Sequence, residues 1–164
     1  MKRIVAFIGA LALAAGGLLG LLAGAASAAP VRTGTLYLHA FANTTHPAAV
    51  VNMSGLVRGS NGTDLVVSPT KDIFRFSHGK VYVTHHPTRT VNKTNARSCA
   101  ESTTETGKYT ITQGTGRYSG LRGNGHYLVI FTGKAPRNSK GKCNFNASPK
   151  TFTQNIWAAG PASI

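Results

Sequence analysis

From about residue 35 onward, apolar and polar residues alternate in short stretches, each closed off by Gly, Pro, Asn or Asp. A period of two is the signature of a strand with one buried face. It predicts strands at 35–41, 50–57, 64–67, 72–77, 80–85, 108–112, 125–132 and 150–158. Between the fifth and sixth of these, residues 87–106 are polar with few apolar positions, which predicts a long loop. No segment after residue 30 sustains a helical period, and no internal repeat is evident. Strands without a helix to cover them need closure to remove their edges, so the pattern predicts one all-β domain, an antiparallel barrel of about eight strands.

The alternation also assigns faces. Phe74, Phe76 and His78 fall opposite Ile73, Arg75 and Ser77. Val81, Val83 and His85 fall opposite Tyr82, Thr84 and His86, and Phe152, Gln154 and Ile156 opposite Thr153, Asn155 and Trp157. The Phe74/Phe76 and Val81/Val83 faces are the expected core. His78 and His85 then point inward near strand ends.

The first thirty residues are of another kind. Lys2 and Arg3 precede an apolar run without charge until Arg32, ending at Ala26-Ser27-Ala28 before Ala29-Pro30. A charged start, an apolar centre and a small-residue exit are the layout of a secretory signal peptide, so 1–28 is expected to be cleaved and 29–164 to form the secreted domain, with no transmembrane span after cleavage. The five glycines in the run and the lack of a following charge cluster favour cleavage over a membrane anchor.

Export changes how charge and cysteine are read. The whole chain carries 18 Lys+Arg against 4 Asp+Glu. Without Lys2 and Arg3 the formal charge is +12. Such an excess attracts polyanions, and it also serves solubility. The densest basic stretch, Lys134, Arg137, Lys140, Lys142 and Lys150, has a turn-rich composition and is the candidate anionic-surface site. Export argues against nucleic acid as the partner. Cys99 and Cys143, an even pair in an exported chain, are expected to form a disulfide. It would close a long loop, worth on the order of 3–4 kcal/mol in the chain-entropy model.

The segment Tyr109-Thr-Ile-Thr-Gln-Gly114-Thr-Gly116-Arg-Tyr118-Ser-Gly120-Leu-Arg-Gly123-Asn-Gly125-His-Tyr127 resembles the strand–turn–strand of the allene oxide cyclase-like and dirigent-like β-barrels, as found also in small secreted actinobacterial proteins. The resemblance implies an eight-stranded antiparallel barrel with an apolar central cavity. Its motif is structural: Gly114, Gly116 and Gly120 permit the turn, over which Tyr118 packs. It carries no catalytic group, and the acidic and polar cavity residues of the plant families find no matched positions in this chain.

Motif chemistry adds little. The glycine spacing is not a dinucleotide fingerprint, and no P-loop, H-E-x-x-H, C-x-x-C or EF-hand pattern occurs, so no cofactor and no metal site is expected. His85 and His86 are adjacent on a strand and face opposite ways. Glu101 and Glu105 fall in the polar stretch, where a solvated role is expected. Candidates for contacting a ligand are Arg75, His78, His85 and Tyr127. The reading that results is a secreted, non-enzymatic barrel binding an apolar small molecule or an anionic surface polymer. Two others stay open: a cyclase- or dirigent-type barrel enzyme acting on a hydrophobic substrate in the cavity, and a structural or cell-surface interaction protein.

Overall fold

A computed structural model describes residues 30–164; the segment 1–28 expected to be a signal peptide lies outside the described residues. Eight strands follow one another around a closed antiparallel barrel: β1 (Thr33–Asn43), β2 (Val50–Gly55), β3 (Gly59–Ser68), β4 (Lys71–Phe76), β5 (Gly79–Asn95), β6 (Ala100–Gly114), β7 (Arg122–Lys134) and β8 (Thr151–Ser163). Each pairs with its neighbours in sequence, and β8 returns to β1 from Thr33↔Ser163 to Asn43↔Thr153, leaving no sheet edge free. A single 3-10 turn, Gly116–Tyr118, is the only helical element among the described residues.

Closure follows from the alternation. On β1, Leu36, Leu38, Ala40 and Ala42 are buried while Tyr37 is exposed and His39 and Phe41 are partly covered. Val51 and Met53, Val81 and Val83, and Tyr109 and Ile111 continue the interior around the ring. Each such buried aliphatic contributes about 1.5–3 kcal/mol.

The polar stretch 87–106 is not a loop, which corrects the sequence expectation. It forms the outer arms of a long β5–β6 hairpin, paired from Arg89↔Thr106 to Asn95↔Ala100. The β5 arm, Thr88 to Asn95, has no core to face and so carries no apolar alternation, whereas the β6 arm pairs with β7 and turns the polar Thr103 and Glu105 toward the interior. Thr88, Thr90, Thr94 and Thr104 supply strand propensity. Pro87 has no N–H to give to the ladder, and the register shifts between it and Arg89.

The connections segregate to two ends. At one end lie the β1–β2, β3–β4, β5–β6 and β7–β8 connections; at the other the β2–β3, β4–β5 and β6–β7 connections. The second end is shut by Tyr118 and Leu121, both almost wholly buried. Tyr118 packs against Phe76, with ring centroids 5.3 Å apart, and donates its hydroxyl proton to the Arg58 carbonyl at 3.3 Å. The turn that delivers it needs its glycines: Gly116 has φ +59°, and a Cβ on Gly114 would strike the Tyr118 carbonyl.

At the first end, Cys99 and Cys143 are disulfide-bonded with Cα atoms 5.2 Å apart, tying the hairpin tip to the long β7–β8 connection. The Arg137 guanidinium reinforces the tie by donating to the Gly141 and Arg97 carbonyls at 2.6 and 2.7 Å.

Candidate functional site

The open end leads into a cavity of about 470 Å³ inside the barrel. Small-molecule sites span about 300–1,000 Å³, so this volume is of that class. Most of the wall is apolar, built by the inward positions of the strands: Leu38, Val51, Phe74, Val83, Val129 and Ile156 among them. Apolar residues Pro47, Ala48 and Pro69 from two connections also line it.

Set into this wall is a polar cluster. Three of the chain's four acids, Asp64, Asp72 and Glu105, line the cavity with His85, Tyr109 and Tyr127. Asp64 comes from β3, Asp72 from β4, His85 from β5, Tyr109 and Glu105 from β6, and Tyr127 from β7. Register brings them together. Asp64 lies opposite Phe74, two residues along β4 from Asp72, and His85 lies opposite Tyr109. Gly107 makes room for the cluster, because a Cβ there would collide with the Tyr127 ring.

The cluster is held as two pairs. His85 Nε2 is 3.1 Å from Asp72 Oδ2. The Tyr127 hydroxyl donates to Glu105 Oε1 at 2.8 Å, and the His85 ring stands edge-on to the Tyr127 ring at 5.7 Å. Burial, the Glu105 hydrogen bond and the Glu105 and Asp72 charges all raise the Tyr127 phenol. Burial raises the Asp72 carboxyl against the lowering pull of His85. Asp64 is pushed up to about 7, first by burial and then by the Asp72 charge.

Two polar atoms in the cluster have no protein hydrogen-bond partner among the described residues, although both are buried: Asp64 Oδ1 and the Tyr109 hydroxyl. Buried polar groups are seldom left unpaired in folded proteins, because each such atom costs about 1–3 kcal/mol. Both belong to side chains that line the cavity, which makes them available to whatever enters it.

Two of the four ligand-contact candidates, His85 and Tyr127, sit in this cavity. Arg75 and His78 are not part of its lining: Arg75 is exposed, and His78 is an exposed residue of the β4–β5 turn at the closed end rather than an inward strand residue. Glu105 is not solvated in a loop but faces the interior, because 105 belongs to paired β6. Asp64, Asp72 and Tyr109 went unnoticed as site residues in the sequence. A signal existed: Asp72 is in phase with Phe74, and Glu105 with Tyr109 and Ile111, so the inward face of each strand continues through the acid.

The proposed anionic-surface residues Lys134, Arg137, Lys140 and Lys142 lie at the open end, outside the cavity lining, and are exposed. Arg137 spends its guanidinium on two backbone carbonyls. Among the described residues, no group of three or more His, Cys, Asp and Glu side chains is placed to hold a metal, and no helix is long and apolar enough to cross a membrane.

A scan against family models, a search of curated proteins and a search of solved structures return no match to this chain. The fold and the cavity define its class, an eight-stranded antiparallel barrel with a polar cluster in an apolar interior.

Proposed function

We propose that the barrel is a secreted binding protein for a small, largely apolar molecule carrying a hydroxyl or comparable hydrogen-bonding group. The observation that carries this reading is the pair of orphaned polar atoms, Asp64 Oδ1 and Tyr109 OH, set in an otherwise apolar cavity. In this reading an apolar body lies against the wall and its hydrogen-bonding group is directed to these two atoms. Ligand sites commonly combine apolar walls with a few convergent polar groups. Export of the chain is part of the same proposal; the disulfide fits an oxidising compartment.

A second reading, proton transfer on the bound molecule in the manner of a cyclase- or dirigent-type barrel, is favoured by Asp64 alone. A carboxyl that titrates at about 7 is balanced between acid and base at physiological pH, which suits a general acid–base group.

The test compares 2-naphthol with naphthalene by calorimetry. The proposal predicts tighter binding of the naphthol, by about tenfold, equivalent to ~1.4 kcal/mol. Asp64→Asn/Tyr109→Phe should erase that preference while keeping naphthalene affinity within about threefold. Equal affinity of the unaltered protein for both compounds would contradict it.

A further inference from the structure

The closed end of the barrel carries a second concavity, remote from the cavity mouth. It is a cleft of about 490 Å³, and each of the three connections at that end contributes a cationic or proton-donating side chain to it: Arg58 from β2–β3, His78 from β4–β5 and Arg117 from β6–β7. Ser60 and Ser77 add hydroxyls. No Asp or Glu lines the cleft. The chain's four acids lie elsewhere: three line the interior cavity, and Glu101 is on β6 beside the hairpin tip at the opposite end.

Two properties separate this cleft from a general excess of positive charge. First, its guanidinium groups are uncommitted. Neither Arg58 nor Arg117 makes a side-chain hydrogen bond or an ion pair among the described residues, whereas Arg137 is engaged by two carbonyls. Second, the backbone beneath is fixed. The Tyr118 hydroxyl binds the Arg58 carbonyl, tying β6–β7 to β2–β3. The Arg117 amide binds the His78 carbonyl at 2.8 Å, tying β6–β7 to β4–β5. Thr115 and Lys80 close the frame, amide to carbonyl at 2.9 Å and amide to hydroxyl at 3.1 Å. Three connections that share one base hold the backbone of Arg58, His78 and Arg117 in a fixed relation, so that only their side chains remain to be ordered on binding.

Forked guanidinium groups with flanking hydroxyls match tetrahedral oxyanions, whose oxygens accept paired N–H donors. We propose that this cleft is an oxyanion site for a phosphate- or sulfate-type group, with Arg58 and Arg117 as its principal ligands and His78, Ser60 and Ser77 as accessory donors. The site is separate from the interior cavity and does not depend on what the cavity binds.

The probe is inorganic phosphate, followed by amide NMR shifts, with a short linear polyphosphate as a second arm. Phosphate should shift the amides around Arg58, His78 and Arg117 in a saturable way. Arg58→Gln/Arg117→Gln should weaken it about tenfold or more. Lys140→Gln/Lys142→Gln, which removes the same charge at the other end, should leave affinity within about twofold. Polyphosphate binding more tightly than phosphate at these same amides points to a phosphate-bearing polymer, and equal affinity to a free anion. The proposal is overturned if the two double variants weaken phosphate equally, or if shifts in the unaltered protein spread over all exposed lysines.

Discussion

The two ends of the barrel differ in what they enclose and in how charge is used. The open end admits solvent to an apolar interior in which three carboxyls converge, two of them, Asp64 and Asp72, raised in pKa by burial. The closed end is filled by Tyr118 and Leu121 and presents cations without acids in a shallow cleft outside the plug. One sheet supports both: its strands carry the acids on their inward faces toward the open end, and the β6–β7 connection folds Tyr118 and Leu121 in at the other. A chain this short of acid nonetheless places most of its acid inside, where carboxyls cost most. That placement gathers the carboxyl groups toward the open end.

The difference is broken most severely by removing the plug. Tyr118→Ala deletes a side chain that is 2% exposed, with its Phe76 contact and its bond to Arg58. A loss of about 3–5 kcal/mol in denaturant unfolding is expected, the usual cost of truncating a buried aromatic. A change below about 1 kcal/mol would show that the closed end is not packed as described.

The raised Asp64 predicts a pH dependence of definite sign. Its folded pKa of about 7 lies above the ordinary carboxyl value of 3.8, so the folded protein holds the proton over that window and the unfolded chain does not. Stability is then greatest below about pH 4 for this group and is lost as pH rises toward 7, by up to ~4 kcal/mol and less where water reaches the carboxyl. Asp64→Asn should flatten that decline and raise stability at pH 8. Parallel pH profiles for the two proteins would contradict the assignment.

A smaller effect sharpens the pairing on the opposite wall. Tyr127→Phe removes the donor to Glu105 and leaves that carboxylate oxygen to water or ligand. Because hydrogen bonds to charged groups are worth about 1.5–3 kcal/mol, a loss at the low end of that range is expected at pH 7, restored in part by Glu105→Gln in the same chain.

Much of the architecture was legible in the sequence because each strand of the barrel body must face a core. Val81, Val83 and Phe74 announce their face by alternation alone, and Cys99 and Cys143 their bond by number. The hairpin arms were not legible, since Thr88 to Asn95 have solvent on both sides and nothing to alternate against. The site was only half legible. His85 follows Val81 and Val83 in phase and was found, whereas Asp64, Asp72 and Glu105 look like solvated acids until strand register joins them. Register depends on bulges, at Tyr82/Val83 and Pro87/Arg89 among others, and no local pattern in the chain specifies them.

The central claim, that the interior takes up an apolar molecule, can be met through the alternation of a single strand. Val129 lines the cavity and its neighbour Leu128 faces outward beside Trp157. Titration with the neutral fluorophore N-phenyl-1-naphthylamine should give saturable binding that Val129→Trp abolishes and Leu128→Trp leaves intact, both variants keeping the strand circular dichroism of the parent. Equal binding to all three proteins, or none to the parent, would contradict the account.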